Sequence, residues 1–340
     1  MAVKIAINGF GRIGRLVLRG IIETGRTDVV PVLINDLGSV EANAHLLKYD
    51  SVHGRLPADV EIVNGDLLIK THNGRTIGPI KVTAQRNPAE LPLEGVDVVM
   101  ECTGLFTTRE KVQPLLQAGA KHVLISAPSS DAEATIVYGV NNDALKPGMK
   151  VVSNASCTTN CLAPMAFVLD QKFGIERGYM VAIHSYTGDQ RTIDTLHKDP
   201  HRARAAALNI IPTSTGAARA MGLVLPHLKG RFDGTAIRVP TPDVSLVSLD
   251  FVPKNIPSSV EEINSALLEA SKGSLKGILD YNAEPLVSTD FIHQPASSTF
   301  DATQTALVDG GKLVRVVAWY DNEWGFSNRM SDTAVLLGKV

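Results

Sequence analysis

The sequence predicts an α/β fold with a doubly wound parallel sheet and a second domain after it, and three observations carry that prediction. At 340 residues the chain is long for a single hydrophobic core. Apolar runs of strand length alternate with helical patterns through its first half, as parallel βαβ units require. Between the first apolar run, Val3-Lys4-Ile5-Ala6-Ile7, and the first helical pattern lies the turn Asn8-Gly9-Phe10-Gly11-Arg12-Ile13-Gly14.

That turn is the first element with chemical content. Gly9, Gly11 and Gly14 match G-x-G-x-x-G in a strand-turn-helix setting, where the first glycine permits the turn, the second lets a pyrophosphate near the backbone and the third lets helix pack on strand. The helix is expected from Leu16 to about Glu23, stopped at Thr24-Gly25. A second strand, Val29 to Ile34, ends in Asn35-Asp36, so an acid falls 22 residues after Gly14, where a carboxylate would take ribose hydroxyls. Together these predict a dinucleotide site. A carboxylate beside the 2'-hydroxyl repels a 2'-phosphate and Leu37 offers no cation, so NAD is favoured over NADP.

Residues 60 to 84 read as short alternating strands with Asn-Gly turns at 64-65 and 73-74, a hairpin insertion to which no chemistry is assigned. The parallel pattern resumes at Val96 to Met100 and again at His122 to Ile125, with a helix from about Thr108 between them. Ligands lie at the carboxyl ends of such strands, so Thr103, Gly104, Phe106 and Ser126 are candidates to line the cofactor site. Cys102 has no basic neighbour in sequence and reads as buried.

The centre of the chain is Ser153-Asn154-Ala155-Ser156-Cys157-Thr158-Thr159-Asn160-Cys161, between the strand-like Lys150-Val151-Val152 and an apolar helical pattern beginning near Leu162. A thiol at such a junction sits at the positive end of a helix dipole, which can bring a cysteine pKa from about 8.5 to between about 3.5 and 7.5. Cys157 is therefore the expected nucleophile. Ser156, Thr158 and Thr159 surround it with hydroxyls suited to an oxyanion or phosphate. Cys161, one helical turn on, reads as packing: no second Cys or His pair at ligand spacing accompanies it, and no metal is expected.

Beyond the central helix, the strand Tyr179 to Thr187 carries His184 among apolar residues; an attacking thiol needs a base, and neutral imidazole suits that task. Thr187 to Thr215 is cation-rich and reads by default as an ordered surface or interface loop. Thr213 to Arg219 offers hydroxyls and Gly216 at a helix start, which suits an anion or an ordinary cap. Arg238, inside Thr235 to Pro240, needs a partner or ligand to sit there. Ser245 to Val252 alternates as a strand with one polar face, Ser258 to Ala270 as a capped amphipathic helix, Leu313 to Trp319 as a strand, and Gly325 to Leu337 as the last helix.

Composition bounds the function. Lys plus Arg total 33 against 35 for Asp plus Glu, so net charge is −2 and neither nucleic acid nor an anionic membrane is a predicted partner. Three cysteines and no secretory pattern predict a reducing, cytoplasmic compartment. No apolar run approaches membrane-spanning length.

With Asn8 to Gly14, Ser156-Cys157-Thr158-Thr159-Asn160-Cys161, His184, Thr213 to Ala218, Arg238-Val239-Pro240-Thr241-Pro242 and Trp319-Tyr320-Asp321-Asn322-Glu323 assembled, the chain resembles phosphorylating glyceraldehyde-3-phosphate dehydrogenases from end to end. The resemblance implies a Rossmann-type doubly wound parallel sheet over residues 1-155, to which a C-terminal helix, 322-340, returns. It implies an α+β catalytic domain with a mostly antiparallel sheet over 156-321, and a homotetramer. Cys157 would attack the aldehyde of glyceraldehyde 3-phosphate, and His184 would activate the thiol and assist hydride transfer to NAD. Inorganic phosphate would then release 1,3-bisphosphoglycerate from the thioester. By the same analogy Thr187, Asp189 and Arg238 hold the substrate phosphate, and Ser156, Thr158, Thr215 and Gly216 the attacking one. Asn322 holds the nicotinamide carboxamide, and Gly9, Phe10, Gly11, Arg12, Ile13 and Gly14 with Asp36, Thr103 and Ser126 hold the rest of the cofactor. Three features depart from the family pattern: Phe326 where many members carry Tyr, Trp324 in place of a smaller residue, and Thr195-Leu196 in a loop that discriminates cofactors.

Overall fold

The structure, a computed structural model, describes residues 2–340. It divides into two compact units, one of residues up to Ala155 together with Ser327–Val340, the other Ser156–Phe326.

The first unit is built on a nine-stranded sheet in the order 134–135, 151–153, 122–125, 98–101, 3–8, 29–35, 76–83, 66–71 and 58–63. Every pairing from the first of these to Thr76–Thr83 is parallel, and only the outer hairpins are antiparallel. Central strands buried on both faces need unbroken apolar runs, which is why Val98, Val99 and Met100 are inaccessible alongside Ile5, Ala6 and Ile7. From the central strand Val3–Asn8 the chain steps first to Val29–Asn35 on one side and later to Val98–Glu101 on the other. The carboxyl ends of these three strands therefore border a topological switch point, where open parallel sheets take ligands. The region expected as a hairpin insertion is one, except that its last strand, Thr76–Thr83, pairs in parallel with Val29–Asn35.

The first helix, Arg12–Glu23, begins inside the glycine motif rather than at Leu16, because the amphipathic pattern used to place it starts only one turn later. The last helix, Trp324–Leu337, leaves the second unit after Phe326. In the first unit its Asp332 meets Arg26 Nη1 at 2.5 Å, and Thr333 donates its hydroxyl to Asn154 Oδ1 at 2.8 Å.

The second unit carries a mostly antiparallel sheet in the order 211–214, 232–239, 175–185, 245–253, 313–320, 298–301 and 279–282. Its two parallel pairings are Ile175–Ser185 with Phe232–Val239 and Leu279–Asn282 with Ser298–Asp301. In Ser245–Pro253 the alternation gives a fully buried row of Val247, Leu249 and Phe251. The helix Cys157–Phe173 packs on this sheet and against the helices Ala217–Val224 and Val260–Lys272. Packed so, it is apolar on nearly all sides, with Leu162, Ala163, Met165, Ala166 and Leu169 inaccessible.

Candidate active site

In the first unit the glycine motif is shaped by close approach. Gly9 has φ of 92°, and a Cβ there would lie 2.6 Å from the Thr103 nitrogen; one on Gly14 would lie 2.1 Å from the Gly9 carbonyl oxygen. A Cβ on Gly11 would meet nothing within 4 Å, so the backbone at the N-cap of Arg12–Glu23 faces open space. Asp36 fastens the loop by accepting from Phe10 N at 2.8 Å through Oδ2, while its Oδ1 accepts from Gly38 N at 2.9 Å in its own turn.

Beside it opens a cleft of about 380 Å³, lined by Asn8, Gly9, Gly11, Asn35, Asp36 and Leu37 on one side and by Cys102, Thr103, Leu105 and Phe106 on the other. Uncovered backbone at a helix start, a carboxylate at a strand end and an apolar wall fit a dinucleotide. Phe10, Arg12, Ile13, Gly14, Gly104 and Ser126 stand outside the lining. Phe10 is buried, Arg12 pairs with Asp50, and Ser126 bonds to the Cys102 thiol. Cys102, expected to be buried, is half-buried at the cleft wall, and desolvation pushes its thiol up, as an unreactive cysteine requires.

Sequence reasoning missed Gln85, Arg86 and Pro88, which also line the cleft. They follow Thr76–Thr83, the strand given no chemistry; its parallel pairing with Val29–Asn35 brings them beside Asp36. Beneath the cleft Asn8 Nδ2 donates to Glu101 at 2.5 Å, Asn35 Nδ2 donates to Asn8 Oδ1 at 2.8 Å, and Asn35 Oδ1 accepts from Gln85 N at 2.8 Å. Burial raises the Glu101 carboxyl despite its bonds from Thr103 and Asn8.

In the second unit the helix starts at Cys157 itself and not near Leu162. Ser156 is its N-cap, the hydroxyl accepting from Thr159 N at 3.1 Å, so the polar stretch Cys157–Asn160 is helical although it lacks an apolar face. Just before the cap, Ala155 takes φ of 58°, a left-handed conformation costing a residue with a Cβ about 1–2 kcal/mol. Cys157 is half-buried and its Sγ lies 3.5 Å from Nε2 of buried His184. Thr158 shares a 2.9 Å hydrogen bond with Tyr320, whose ring stands edge-on to His184 at 5.9 Å. Cys161 is buried, its sulfur 3.6 Å from Ser298 Oγ.

His184 and Arg238 are register partners on adjacent parallel strands, which puts their side chains on one face. Arg238 Nη1 lies 2.9 Å from His184 Nδ1 and donates to Ser185 O at 3.0 Å; Nδ1 is 2.7 Å from that same carbonyl. Only the tautomer with the proton on Nδ1 can use Ser185 O as acceptor, and it leaves the Nε2 lone pair facing Cys157. Arg238 Nε is buried and has no hydrogen-bond partner among the described residues.

The expected low-pKa thiolate is corrected by burial. It pushes the Cys157 thiol up, outweighing Arg238 and the Thr158 hydrogen bonds that act to lower it. It also takes His184 down to about 3, helped by the charge of Arg238. A helix dipole is worth at most about 2 kcal/mol, less than the cost of placing charge in a packed interior. Both shifts run toward thiol and neutral imidazole and away from the ion pair.

The expected phosphate residues fall into smaller groups. Thr187 donates through N and Oγ1 to Gln190 Oε1, at 2.8 and 3.2 Å. Asp189 is exposed and ion-paired with Arg202 at 2.6 Å, which holds its carboxyl low against the opposing effect of burial. Arg202 also donates to Thr213 Oγ1 at 2.9 Å. Its charge bears on both His184 and Arg238, so Arg238 is not the only cation at the site. Thr215 Oγ1 accepts from Ala217 N at 3.1 Å and Gly216 caps Ala217–Val224, with no hydrogen bond from either to the Cys157 group among the described residues. Asn322 is buried, its Oδ1 accepting from Ser185 Oγ at 2.8 Å and from Ser245 Oγ at 2.7 Å. Phe326 and Trp324 are buried, the latter stacked on His293 with ring centres 3.6 Å apart, whereas Leu196 is 92% exposed.

Comparison with known proteins gives two family matches. Residues 3–109 match the family described as glyceraldehyde 3-phosphate dehydrogenase, NAD binding domain, and residues 156–322 its C-terminal domain. Full-length relatives include proteins named glyceraldehyde-3-phosphate dehydrogenase from Xanthobacter flavus and from Cereibacter sphaeroides, each 61% identical with all of both chains covered. Another, glyceraldehyde-3-phosphate dehydrogenase 1 from Bacillus subtilis, is 53% identical over all of this chain and 99% of its own.

Proposed function

Because this chain belongs to the glyceraldehyde-3-phosphate dehydrogenase family, we propose that it oxidises glyceraldehyde 3-phosphate with NAD and inorganic phosphate to 1,3-bisphosphoglycerate and NADH. The observation that carries this reading is Cys157 Sγ, 3.5 Å from the buried His184 imidazole, which Arg238 flanks on its other nitrogen.

Cys157 adds to the aldehyde carbon as His184 Nε2 takes the thiol proton, and the proton returns to the oxygen to give a hemithioacetal. His184 then removes the hemithioacetal hydroxyl proton as hydride leaves the same carbon, so a thioester forms on Cys157. When bound, NAD supplies the hydride acceptor. Phosphate attacks the thioester, the acyl phosphate departs, and the sulfur recovers its proton from His184. A soft sulfur suits each step, as nucleophile and then as leaving group.

We assign Arg238, with the Thr187 turn, to the substrate phosphate. What supports this is a half-buried guanidinium whose Nε has no hydrogen-bond partner among the described residues. Asp189 acts one step back, by holding Arg202. Ser156, Thr158, Thr215 and Gly216 are assigned to the attacking phosphate at two helix starts. Gly9 to Gly14, Asp36, Thr103 and Ser126 are assigned to the dinucleotide, and Asn322 to its carboxamide.

A homotetramer in the cytoplasm completes the proposal. Exposed Ile193, Leu196, Leu208 and Ile210 on one segment support an interface between copies, and three free cysteines support a reducing compartment. No helix among the described residues is long and apolar enough to cross a membrane. The deciding experiment is NADH formation from glyceraldehyde 3-phosphate and NAD, with and without inorganic phosphate. Turnover that needs phosphate is expected. A rate indifferent to it would mean that water or another acceptor takes the acyl group.

A further inference from the structure

Ser185 and Ser245 end one strand and begin its antiparallel neighbour, with the Asn322 amide between them. All three side chains are buried. Ser185 N donates to Ser245 Oγ at 3.1 Å, and both hydroxyls lie within 2.8 Å of Asn322 Oδ1.

Counting protons decides which way the amide faces. With Oδ1 toward the serines, its two lone pairs receive two hydroxyl protons and Ser245 Oγ receives the backbone N–H. With the amide reversed, its NH2 would donate to both hydroxyl oxygens. The hydroxyl protons would then have only each other's oxygens, 3.4 Å apart, and at least one would be buried without an acceptor. The amide is therefore held with its oxygen saturated. Its Nδ2 has no hydrogen bond to protein among the described residues.

We propose that Ser185 and Ser245 are positioning residues that make Asn322 a one-way hydrogen-bond donor, its NH2 presented to a carbonyl oxygen of the ligand. On the reading above, on which this inference rests, that oxygen belongs to the nicotinamide carboxamide. Ser185 is then shared between two tasks: its carbonyl orients His184 through Nδ1, and its hydroxyl orients Asn322.

The test is calorimetric binding of NAD and of ADP-ribose, which lacks the nicotinamide, to the full chain, with thermal unfolding of each variant alongside. Ser185→Ala/Ser245→Ala is expected to lose about tenfold in NAD affinity, the worth of one hydrogen bond, and nothing in ADP-ribose affinity. Asn322→Asp still accepts from both serines and cannot donate, so it is expected to lose at least as much. Wild-type NAD affinity in the double variant overturns the proposal, as does an equal loss for both ligands. Asn322→Asp binding NAD as well as wild type overturns the donor polarity. If Asn322→Ala leaves NAD affinity unchanged, the reading of Asn322 falls and the proposal with it; a loss there without one in the serine variants defeats the proposal alone. Should the double variant not fold, Ser245→Ala with rescue by Ser245→Thr decides the matter: a selective NAD loss restored by Thr supports it, and no loss overturns it.

Discussion

Arg238 Nη1 lies 2.9 Å from His184 Nδ1, so a fixed cation abuts the base at the nitrogen that does not face Cys157. Burial and this charge together hold the imidazole down to about 3. A substrate phosphate on Arg238 would offset the charge and let His184 accept a proton more readily, which ties the strength of the base to occupancy of the site.

Replacing the cation isolates its share. Arg238→Gln is expected to move the His184 titration upward, read by NMR of ring-labelled histidine, and to raise the KM for glyceraldehyde 3-phosphate by about tenfold or more. A His184 titration that stays in place would mean burial alone sets it.

The same histidine predicts an acid limb in stability. Its folded pKa, about 3, lies below the ordinary value near 6.5, so between the two the unfolded chain binds one more proton. The contribution is fully present above about pH 6.5 and is lost as pH falls toward 3. His184→Gln, which cannot titrate, should show a shallower loss between about pH 6.5 and pH 5 in urea unfolding. An unchanged slope would place the acid sensitivity elsewhere.

Cys157 is expected to alkylate slowly at neutral pH and faster as pH rises past the ordinary thiol range, because burial pushes its pKa up. Arg238→Gln should shift that profile further up, since the guanidinium acts to lower it. Cys157→Ser should still bind NAD while losing turnover by about 10³-fold or more. Retained oxidation would remove Cys157 from the chemistry, and a rate plateau well below neutral would restore the low-pKa thiolate.

Asp36 offers a cofactor test. Asp36→Ala removes the hydrogen bond from Phe10 N that fastens the glycine loop and also the charge facing a 2'-phosphate, while Arg86 remains in the same lining. The expected result is a rise in the KM for NAD with a smaller rise, or a fall, for NADP, measured as kcat/KM for each. Equal losses for both would assign Asp36 to the loop alone.

What could be read from the sequence was local. The glycine motif, Asp36 and the Cys157 junction each depend on a few neighbouring residues, so spacing was enough to place them. His184 and Arg238 lie 54 positions apart, and it is the register of two parallel strands that joins them. Ser185 and Ser245, 60 apart, meet for the same kind of reason. Arg202 lies in a segment that reads from sequence as an ordered surface or interface loop, and nothing in its neighbours marks it as the partner of Asp189 and Thr213. The thiolate expectation failed because a helix start could be inferred from sequence, whereas the packing around the sulfur could not.

Cys161 gives the site a chemical boundary. Residues four apart on a helix keep their Cβ atoms about 5–6 Å from one another, whereas a disulfide needs about 3.5–4.5 Å. The Cys161 sulfur is also turned toward Ser298 and the Ala318 carbonyl. If an oxidant converts Cys157 to a sulfenic acid, Cys161 cannot resolve it without unwinding the first turn of the helix. Repair would then fall to a small thiol from outside the chain, and oxidative loss of activity should be reversible only while such a thiol is supplied.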